Sequence, residues 1–401
     1  MAGFKNSAVF VMYSQGWRKC GIFIVVLRNI DNFVAHKKTN HSFMLRRNLL
    51  LIFCIIVCGC LYAQDTTSKN RTITIPSWAA TLSESMELHG YAQAGYTWRH
   101  QDGMNTNTFD VKRILFWAKA RVTDRWSFLF MHDFSSVVQE FYTDYRFTRG
   151  KEFSVRFGQF KNSLSMQNPL SPTKLDLIDC YSQAVVYLTG CGSDPLNGVQ
   201  YGRDLGLMVY GDVFDDKLHY EFAVMNGSGI NRKDNNNYKD IIGKLEYRIK
   251  PNLRVVTTGQ LGAGHALAES KFCPDIKVGE DYTRNRWSLG AEWKEHVEGV
   301  DYWKNRTAQI QVEALGGRDR NNKSIGAYAT ACVPVWKGLD VIASVDYFNY
   351  NTSLGMEQMN FVGGVQYWFY KTCRVQLQYT NANPAWEHHY GNLQAQVQVA
   401  F

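Results

Sequence analysis

Residues 391–401 read Gly-Asn-Leu-Gln-Ala-Gln-Val-Gln-Val-Ala-Phe. Apolar side chains alternate here with the polar amides of Gln394, Gln396 and Gln398. A strict period of two places the apolar residues on one face of a β-strand and the amides on the other. In a transmembrane β-barrel, alternate residues face lipid and lumen in this way, so we interpret the stretch as a closing barrel strand that ends on the aromatic Phe401.

The same alternation recurs along most of the chain. It predicts about sixteen strands, each close to the ten residues that a tilted strand needs to cross a bilayer. We predict short turns near Asp124, Gly150, Asp215, Pro251, Gly299, Gly338 and Lys371, and mostly longer loops between them. The fold class predicted is therefore all-β, a transmembrane antiparallel barrel. The strands are predicted at 86–99, 108–122, 126–134, 137–147, 152–160, 201–213, 217–225, 240–250, 252–261, 282–294, 303–316, 324–336, 339–350, 361–370, 372–380 and 391–401.

Composition supports a membrane barrel. Aromatic residues make up 14% of the chain although its mean hydropathy is only −0.30. Aromatic girdles at the two membrane interfaces explain so many rings in so polar a chain.

The net charge of +8 is concentrated near the amino terminus. Residues 1–63 contain eight Lys and Arg and the single acidic residue Asp31, so the remainder is close to neutral. A nucleic-acid binder would carry a basic face, so nucleic acid is excluded as a partner.

The amino-terminal region resembles an export signal. Arg46 and Arg47 precede a short apolar run that ends near Ala63. This layout predicts a signal peptide at 44–63, an upstream extension from a mis-assigned start at 1–43, and a periplasmic leader at 64–85 before the barrel domain, 86–401. A buried helix, a membrane anchor and a lipoprotein cleavage box at 57–60 stay open as alternatives.

Residues 161–200 interrupt the alternation for a length that is rare in a loop without a function. The segment contains three prolines and an apolar patch at 184–188. We expect it to fold into the barrel and narrow it. Cys180 and Cys191 lie in this segment, and both a disulfide and two free thiols stay open.

The polar faces of the strands supply the candidate lumen residues, because a charged side chain at mid-depth on the lipid side is costly. Lys244, Glu246 and Arg248 illustrate the pattern on one strand. The full set of pore-lining candidates is Arg113, Lys119, Arg121, Glu140, Asp144, Arg156, Lys161, Lys174, Arg203, Lys244, Glu246 and Arg248. His388 and His389 point in opposite directions on a strand, so we predict neither a metal site nor a cofactor.

An ordered set of short motifs resembles the phosphate-selective porin O and P family, particularly members from Bacteroidetes-type bacteria. The resemblance spans residues 86–401. Its motifs are Lys-Arg-Ile-Leu-Phe-Trp-Ala-Lys-Ala-Arg at 112–121, Phe-Tyr-Thr-Asp-Tyr at 141–145, Val-Arg-Phe-Gly-Gln-Phe-Lys at 155–161, Gly-Arg-Asp-Leu-Gly at 202–206 and Asn-Gly-Ser-Gly at 226–229.

The resemblance implies a sixteen-stranded barrel, often a homotrimer, with the third long loop folded into the pore. In that family an arginine ladder and a lysine cluster select anions. Part of a ladder is present in Arg113, Lys119, Arg121, Arg156 and Arg203. The loop, however, contains three acidic residues, Asp176, Asp179 and Asp194, and only two lysines, Lys161 and Lys174. Further negative charge on the lumen face comes from Glu140, Asp144, Glu221, Glu246 and Glu313. These residues favour a general or mildly selective pore over a phosphate-specific one.

We therefore predict a non-enzymatic porin of a Gram-negative outer membrane. Its partners are membrane lipid and small hydrophilic solutes or anions such as phosphate. An outer-membrane barrel enzyme (a protease or lipase) and a surface β-sandwich adhesin stay open as alternatives.

Overall fold

A computed structural model describes residues 85–295 and 306–401. Sixteen antiparallel strands form one closed barrel. The bounds are β1 Met86–Gln101, β2 Met104–Arg121, β3 Trp126–Asp133, β4 Val138–Arg146, β5 Ser154–Lys161, β8 Arg203–Val213, β9 Leu218–Met225, β10 Asp240–Lys250, β11 Leu253–His265, β12 Asp281–Lys294, β13 Gln309–Asp319, β14 Asn322–Trp336, β15 Leu339–Asn351, β16 Met356–Tyr370, β17 Cys373–Pro384 and β18 Tyr390–Ala400. The predicted fold class is confirmed. The β-sandwich alternative is wrong, because the sheet closes on itself.

The last strand closes the barrel by pairing with the first. The register of β18 on β1 runs from Tyr91 opposite Ala400 to Gln101 opposite Tyr390. Reciprocal backbone hydrogen bonds between Gly90 and Phe401, of 3.2 and 3.0 Å, extend this pairing to the chain end. A Cβ atom on Gly90 would lie 2.6 Å from the Phe401 ring, so this close approach requires glycine.

The alternation in β18 separates two environments as predicted. Gln394, Gln396 and Gln398 point inward and are at most 5% exposed, whereas Val397 and Val399 are 45% and 50% exposed on the outside. Large apolar side chains cover the outer wall of the other strands as well. A continuous apolar surface of this extent is stable only against lipid.

Aromatic rings are concentrated at the barrel end that carries Met86 and Ala400, which we call the turn end. The opposite end, where β5 leaves the wall, is the loop end. Exposed rings at the turn end include Trp126, Phe147, Phe153, Phe214, Trp293, Trp336, Tyr367, Tyr370 and Phe401. Such a girdle marks a membrane interface in outer-membrane barrels.

Residues 162–202 connect β5 to β8 and fold into the barrel; we call them the inward loop. The loop contains the helix α1, Gln183–Thr189, and a small hairpin of β6 (Ser193–Asp194) and β7 (Gly198–Val199). The Ser182 side chain caps α1 by accepting a hydrogen bond from the Val185 amide. The helix ends at Gly190, whose φ of 64° is a left-handed conformation that favours glycine. The prediction of an inward-folded loop is confirmed.

Several predicted boundaries differ from the structure. β1 and β2 are joined by a tight turn at 102–103, and β13 and β14 by another at 320–321, where we expected longer loops. The long connections of the loop end are 162–202, 226–239 and 266–280. Strands β16 and β17 extend further toward the loop end than predicted, to Met356 and Pro384, since their polar residues pair regularly. The turn expected at Gly299 and the first residues of the strand predicted at 303–316 lie outside the described residues. So do the segments 1–43 and 44–63 and all but the last residue of the leader predicted at 64–85.

Among the described residues, no helix is long and apolar enough to cross a membrane.

Adjacent residues on β3 provide a matched test of the two faces. Phe130 points outward and is 37% exposed, whereas Met131 lines a lumen cavity. We expect Phe130→Lys to lower the free energy of unfolding by about 2–4 kcal/mol, the cost of a lysine on the lipid face at mid-depth. Met131→Lys should cost less than about 1 kcal/mol because water solvates its ammonium. Reversible urea unfolding of the refolded barrel in lipid vesicles measures both values. An equal or larger loss for Met131→Lys would contradict the assignment of the faces.

Candidate functional site: the lumen and its inward loop

The inward loop is fastened to the wall formed by β16, β17 and β18. The side-chain amides of Gln376 and Gln378 both donate to the Asp176 carbonyl, at 2.9 and 2.7 Å. Gln378 also accepts a hydrogen bond of 2.8 Å from the Ile178 amide. Gln394 donates to the Asp179 carboxylate at 2.8 Å. Side-chain amides of the closing strands therefore bind both the backbone and the Asp179 side chain of the loop.

Arg374 adds a charged contact to this attachment. Its guanidinium donates to the carbonyls of Leu175 (2.7 Å) and Pro172 (3.2 Å), and to the Gln366 side chain (2.8 Å). The residue is only 1% exposed. Hydrogen bonds from a charged donor are stronger than those between neutral groups, so Arg374 fixes this part of the loop firmly.

The adjoining strands β13 and β15 hold the beginning of the loop and the start of α1. Glu313 on β13 accepts hydrogen bonds from the Ser165 hydroxyl (2.8 Å), the Met166 amide (2.9 Å) and the Tyr328 hydroxyl (2.9 Å). The Asp346 carboxylate on β15 accepts a 2.8 Å bond from the Gln183 amide at the start of α1. The loop therefore leaves the wall at β5, crosses the lumen and is tied to the continuous stretch of wall from β13 to β18.

An apolar cluster packs α1 against the same wall. Leu164, Val185 and Leu188 of the loop contact Leu315 and Phe348 of β13 and β15. These five side chains are buried to 1% exposure or less. Burial of this extent stabilises the loop in its inward position.

Cavities remain beside the loop. One of about 410 Å³ lies against β1–β5, β8 and β9, and one of about 480 Å³ lies near the turn end of β10–β13. A third cavity, of about 360 Å³, lies at the turn end and shares lining residues with the cavity of about 410 Å³. A fourth, of about 390 Å³, lies at the loop end. These spaces are large enough to hold water and small solutes.

Several predicted lumen residues form ion pairs across neighbouring strands. Arg156 donates to both Asp144 oxygens at 2.8 and 3.0 Å, and Arg203 donates to Glu140 at 2.8 and 3.1 Å. Lys244 lies 2.9 Å from a carboxylate oxygen of Glu221. These cations are therefore compensated by wall carboxylates.

Other predicted residues make different contacts. Arg113 donates to Gln93 at 2.8 Å and to the Cys180 sulfur at 3.3 Å. Lys161 donates to the Leu170 carbonyl at 2.5 Å. Lys174 lines the cavity of about 480 Å³ together with Arg248.

The remaining candidates lie near the turn end. Lys119 and Arg121 line the cavity of about 360 Å³. Glu246 accepts a 2.8 Å bond from Arg254, and Arg248 lies 3.5 Å from the same carboxylate. The candidates are thus spread over both ends and the middle of the lumen, rather than gathered in one continuous row.

Sequence reasoning missed two buried ion pairs of β12. Arg286 donates to both oxygens of Asp319 at 2.7 and 2.9 Å, and Arg284 donates to Asp194 of the inward loop at 2.6 Å. The alternation in β12 places both arginines on one face, so the signal was present. The Asp194 partner was not predictable, because it depends on the path of the loop.

Cys180 and Cys191 are both buried and free, so the structure has the two thiols rather than the disulfide. Burial raises the pKa of the Cys191 thiol to about 12. Burial likewise raises the pKa of the Cys273 thiol, in the loop 266–280, to about 12. In the 266–280 loop, hydrogen bonds from the Lys277 amide and from Arg320 hold the pKa of Glu280 below its usual range.

Within 85–295 and 306–401, no cluster of three or more His, Cys, Asp or Glu side chains could hold a metal ion.

Comparison with solved structures places this barrel among outer-membrane barrels. The anion-selective porin of Comamonas acidovorans is 12% identical, with a TM-score of 0.57, over 79% of this chain and 99% of that one. The outer membrane channel DcaP of Acinetobacter baumannii is 9% identical, with a TM-score of 0.52, over 78% and 97%. The trimer form of OmpT, an outer membrane protein of Vibrio cholerae, is 13% identical, with a TM-score of 0.53, over 79% and 100%.

No protein-family model and no curated protein matches the sequence. The resemblance to the phosphate-selective family is therefore not confirmed, and the structural likeness shows the fold alone.

The Glu313 anchor of the inward loop is testable by proteolysis. Glu313→Ala leaves the buried Ser165 hydroxyl and Met166 amide without their acceptor, which costs about 1–3 kcal/mol per group. We expect trypsin cleavage after Lys174 in the folded barrel to accelerate by about tenfold or more, since slow proteolysis follows the population of the opened loop. Glu357→Ala, which removes an exposed carboxylate that contacts Tyr347, is the control. Unchanged cleavage in Glu313→Ala would show that this anchor does not hold the loop.

The thiol assignment predicts slow alkylation of the folded protein. At pH 8 the Cys191 thiol is buried and almost wholly protonated, so iodoacetamide should modify it only after unfolding in detergent. Peptide mass mapping of non-reduced protein before and after unfolding measures this. A Cys180–Cys191 cross-linked peptide in the folded sample would contradict the assignment.

Proposed function

We propose that this chain is an outer-membrane porin, which provides a water-filled route for passive diffusion of small hydrophilic solutes. The observation that carries the proposal is a closed barrel with an apolar outside, a polar inside and one long inward loop. A barrel of sixteen strands is too wide for its own wall side chains to fill. In this barrel the inward loop narrows the remaining space, and the cavities beside it form segments of the route.

The location we propose is the outer membrane of a Gram-negative bacterium. Closed barrels of this kind satisfy every backbone group within the membrane, and their apolar band faces lipid. The barrels to which this chain is similar are outer-membrane proteins. A signal peptide at 44–63 would direct export of the barrel domain.

We infer weak charge selectivity rather than specificity for phosphate. The cavity near β10–β13 is lined by four cationic and three anionic side chains. The cations are Lys174, Arg248, Arg254 and Lys294, and the anions are Asp176, Glu246 and Glu292. The cavity beside β1–β5 is lined by three cations, Arg156, Lys161 and Arg203, and by two carboxylates, Glu140 and Glu221. Both cavities have a small excess of positive charge, whereas the lining of the loop-end cavity contains Asp179 and Asp346. In this proposal the positive and negative charges of the pore-lining candidates nearly cancel, and the candidates do not form an arginine ladder.

A homotrimer is part of the proposal. Similarity to the trimer form of OmpT is consistent with it. Light scattering of the detergent-solubilised barrel measures the mass of the assembly, and the mass of a monomer would overturn the homotrimer proposal.

The rival enzyme function has one superficially suitable cluster. Ser163 and His219 both bind Glu221, His219 through Nε2 at 3.0 Å. His219 Nδ1 lies 2.9 Å from Asp212. His219 therefore contacts two carboxylates and not the Ser163 hydroxyl, so it is not placed to accept a proton from that nucleophile. This geometry favours a structural role for the cluster.

Planar-bilayer recording tests the channel directly. We expect stepwise conductance from the refolded barrel. A variant in which a short Gly-Ser linker replaces residues 163–201 should show several-fold larger steps, because the loop occupies much of the lumen. Absence of steps from both proteins, with heat-modifiable migration confirming a folded barrel, would refute the porin proposal.

Charge compensation predicts opposite effects from two neighbouring substitutions. Arg156→Ala leaves Asp144 without its partner and should shift the reversal potential in a salt gradient toward cation selectivity. Asp144→Ala leaves Arg156 uncompensated and should shift it toward anion selectivity. The unsubstituted barrel should lie between them, far from the limit for an ideally selective pore. Shifts of the same sign in both variants would contradict a solute path along this pair.

A further inference from the structure

A cavity of about 390 Å³ lies at the loop end, between the inward loop and β15–β18. We call it the outer vestibule. Its size falls within the range of about 300–1,000 Å³ that is typical of small-molecule sites. The lining residues that matter here are Gln183, Tyr187, Phe272, Asp346, Tyr350 and Asn360.

Aromatic rings form one side of the outer vestibule. Phe272 and Tyr350 are stacked, with ring centroids 4.4 Å apart and planes at 17°. Tyr187 meets Tyr350 edge-on at 5.3 Å. Because the rings come from the 266–280 loop, β15 and α1, their mutual contacts hold them in place. The vestibule thus presents a fixed aromatic surface.

One carboxylate oxygen of Asp346 has no hydrogen-bond partner among the described residues. The residue is 5% exposed, and one carboxylate oxygen, Oδ2, accepts the 2.8 Å bond from the Gln183 amide. The other oxygen, Oδ1, is buried and has no hydrogen-bond partner among the described residues. A buried carboxylate oxygen in this state is costly unless a ligand or water donates to it.

Side-chain amides provide further donors and acceptors. Gln183 donates to the Asp346 carbonyl at 3.2 Å and accepts from the Tyr350 hydroxyl at 3.3 Å. Gln358, which also lines the vestibule, donates to Asn360 at 2.9 Å. Amide groups suit a ligand that both donates and accepts hydrogen bonds.

The charge of the site is smaller than its two carboxylates suggest. Asp179 lies 3.8 Å from Lys112 and accepts from Gln394, so its charge is partly compensated. Asp346 is the other carboxylate among the described residues that line the vestibule, and these include no lysine or arginine. An ammonium ligand would use the carboxylate and the rings but could accept no hydrogen bond from the amides. A polyhydroxylated ligand would use all three.

We propose that the outer vestibule is a binding subsite for a neutral oligosaccharide. A sugar ring has an apolar face of C–H groups, which fits the Tyr350 surface, and a rim of hydroxyls that donate to Asp346 and exchange hydrogen bonds with the amides. The inference rests on the proposed porin function and adds a solute class to it. Leu177 lines both this vestibule and the cavity near β10–β13, so the subsite lies directly at the narrowing made by the loop.

Direct binding to the full-length refolded barrel in detergent tests the proposal. Isothermal titration with maltotriose, cellotriose and chitotriose should detect at least one ligand. Asp346→Asn keeps the acceptor for the Gln183 amide but turns an NH₂ group toward the vestibule. It should weaken binding by about tenfold or more, as expected when a hydrogen bond to a charged acceptor is lost.

Tyr350→Leu is the second variant, because it removes the ring but keeps an apolar side chain. It should also weaken binding. Asp216→Asn, which changes an exposed carboxylate near Lys151 at the opposite end of the barrel, is the matched control and should bind normally. Heat-modifiable migration of each variant confirms that the barrel is folded.

The possible results are distinguishable. Failure of all three sugars to bind the folded barrel, or equal binding by Asp346→Asn, Tyr350→Leu and Asp216→Asn, would overturn the subsite. Tight binding of spermidine that is lost in Asp346→Asn, without sugar binding, would overturn it in favour of a cation site. Conductance recorded from the same preparation judges the porin proposal separately, since binding in detergent does not require a channel.

Discussion

The backbone hydrogen-bond requirement in hydrocarbon determines the rest of this structure. An unpaired amide in the bilayer core costs several kcal/mol, so strands can cross it only when every edge is paired. The pairing of β18 with β1, completed by the Gly90–Phe401 bonds, satisfies that requirement. Once the sheet is closed, each strand has one face toward lipid and one toward the lumen. The alternation of apolar and polar residues follows from this geometry.

Closure creates a second problem, because the lumen of a wide barrel is lined by charges and amides that need partners. The protein solves it in two ways. Neighbouring strands pair cations with carboxylates, as in Arg156–Asp144 and Arg203–Glu140. The inward loop supplies backbone carbonyls and amides to the remaining groups, as at Gln378 and Glu313. The residues that shape the route for solutes are therefore also the residues that stabilise the loop.

Alternation made the strands and their faces predictable from sequence, since it reflects a constraint that acts on every strand separately. Gln396 and Val397 were assigned correctly because only their neighbours on the same strand mattered. The partners of the inward loop were not predictable. The bonds from Arg374 to Leu175 and from Arg284 to Asp194 join residues far apart in the chain, and they depend on how the loop crosses the lumen. The role of Arg156 as an ion-pair member and not a free cation likewise required the register between β4 and β5.

Spin-label accessibility along β4 tests the central claim, that successive residues face lipid and water, most directly. Single nitroxides at positions 141–146 of the barrel in lipid vesicles should show a period of two. Oxygen collisions should dominate at Phe141, Thr143 and Tyr145, and collisions with a water-soluble nickel complex should dominate at Tyr142, Asp144 and Arg146. Uniform accessibility along the strand, or nickel collisions highest at Phe141 and Tyr145, would contradict the account.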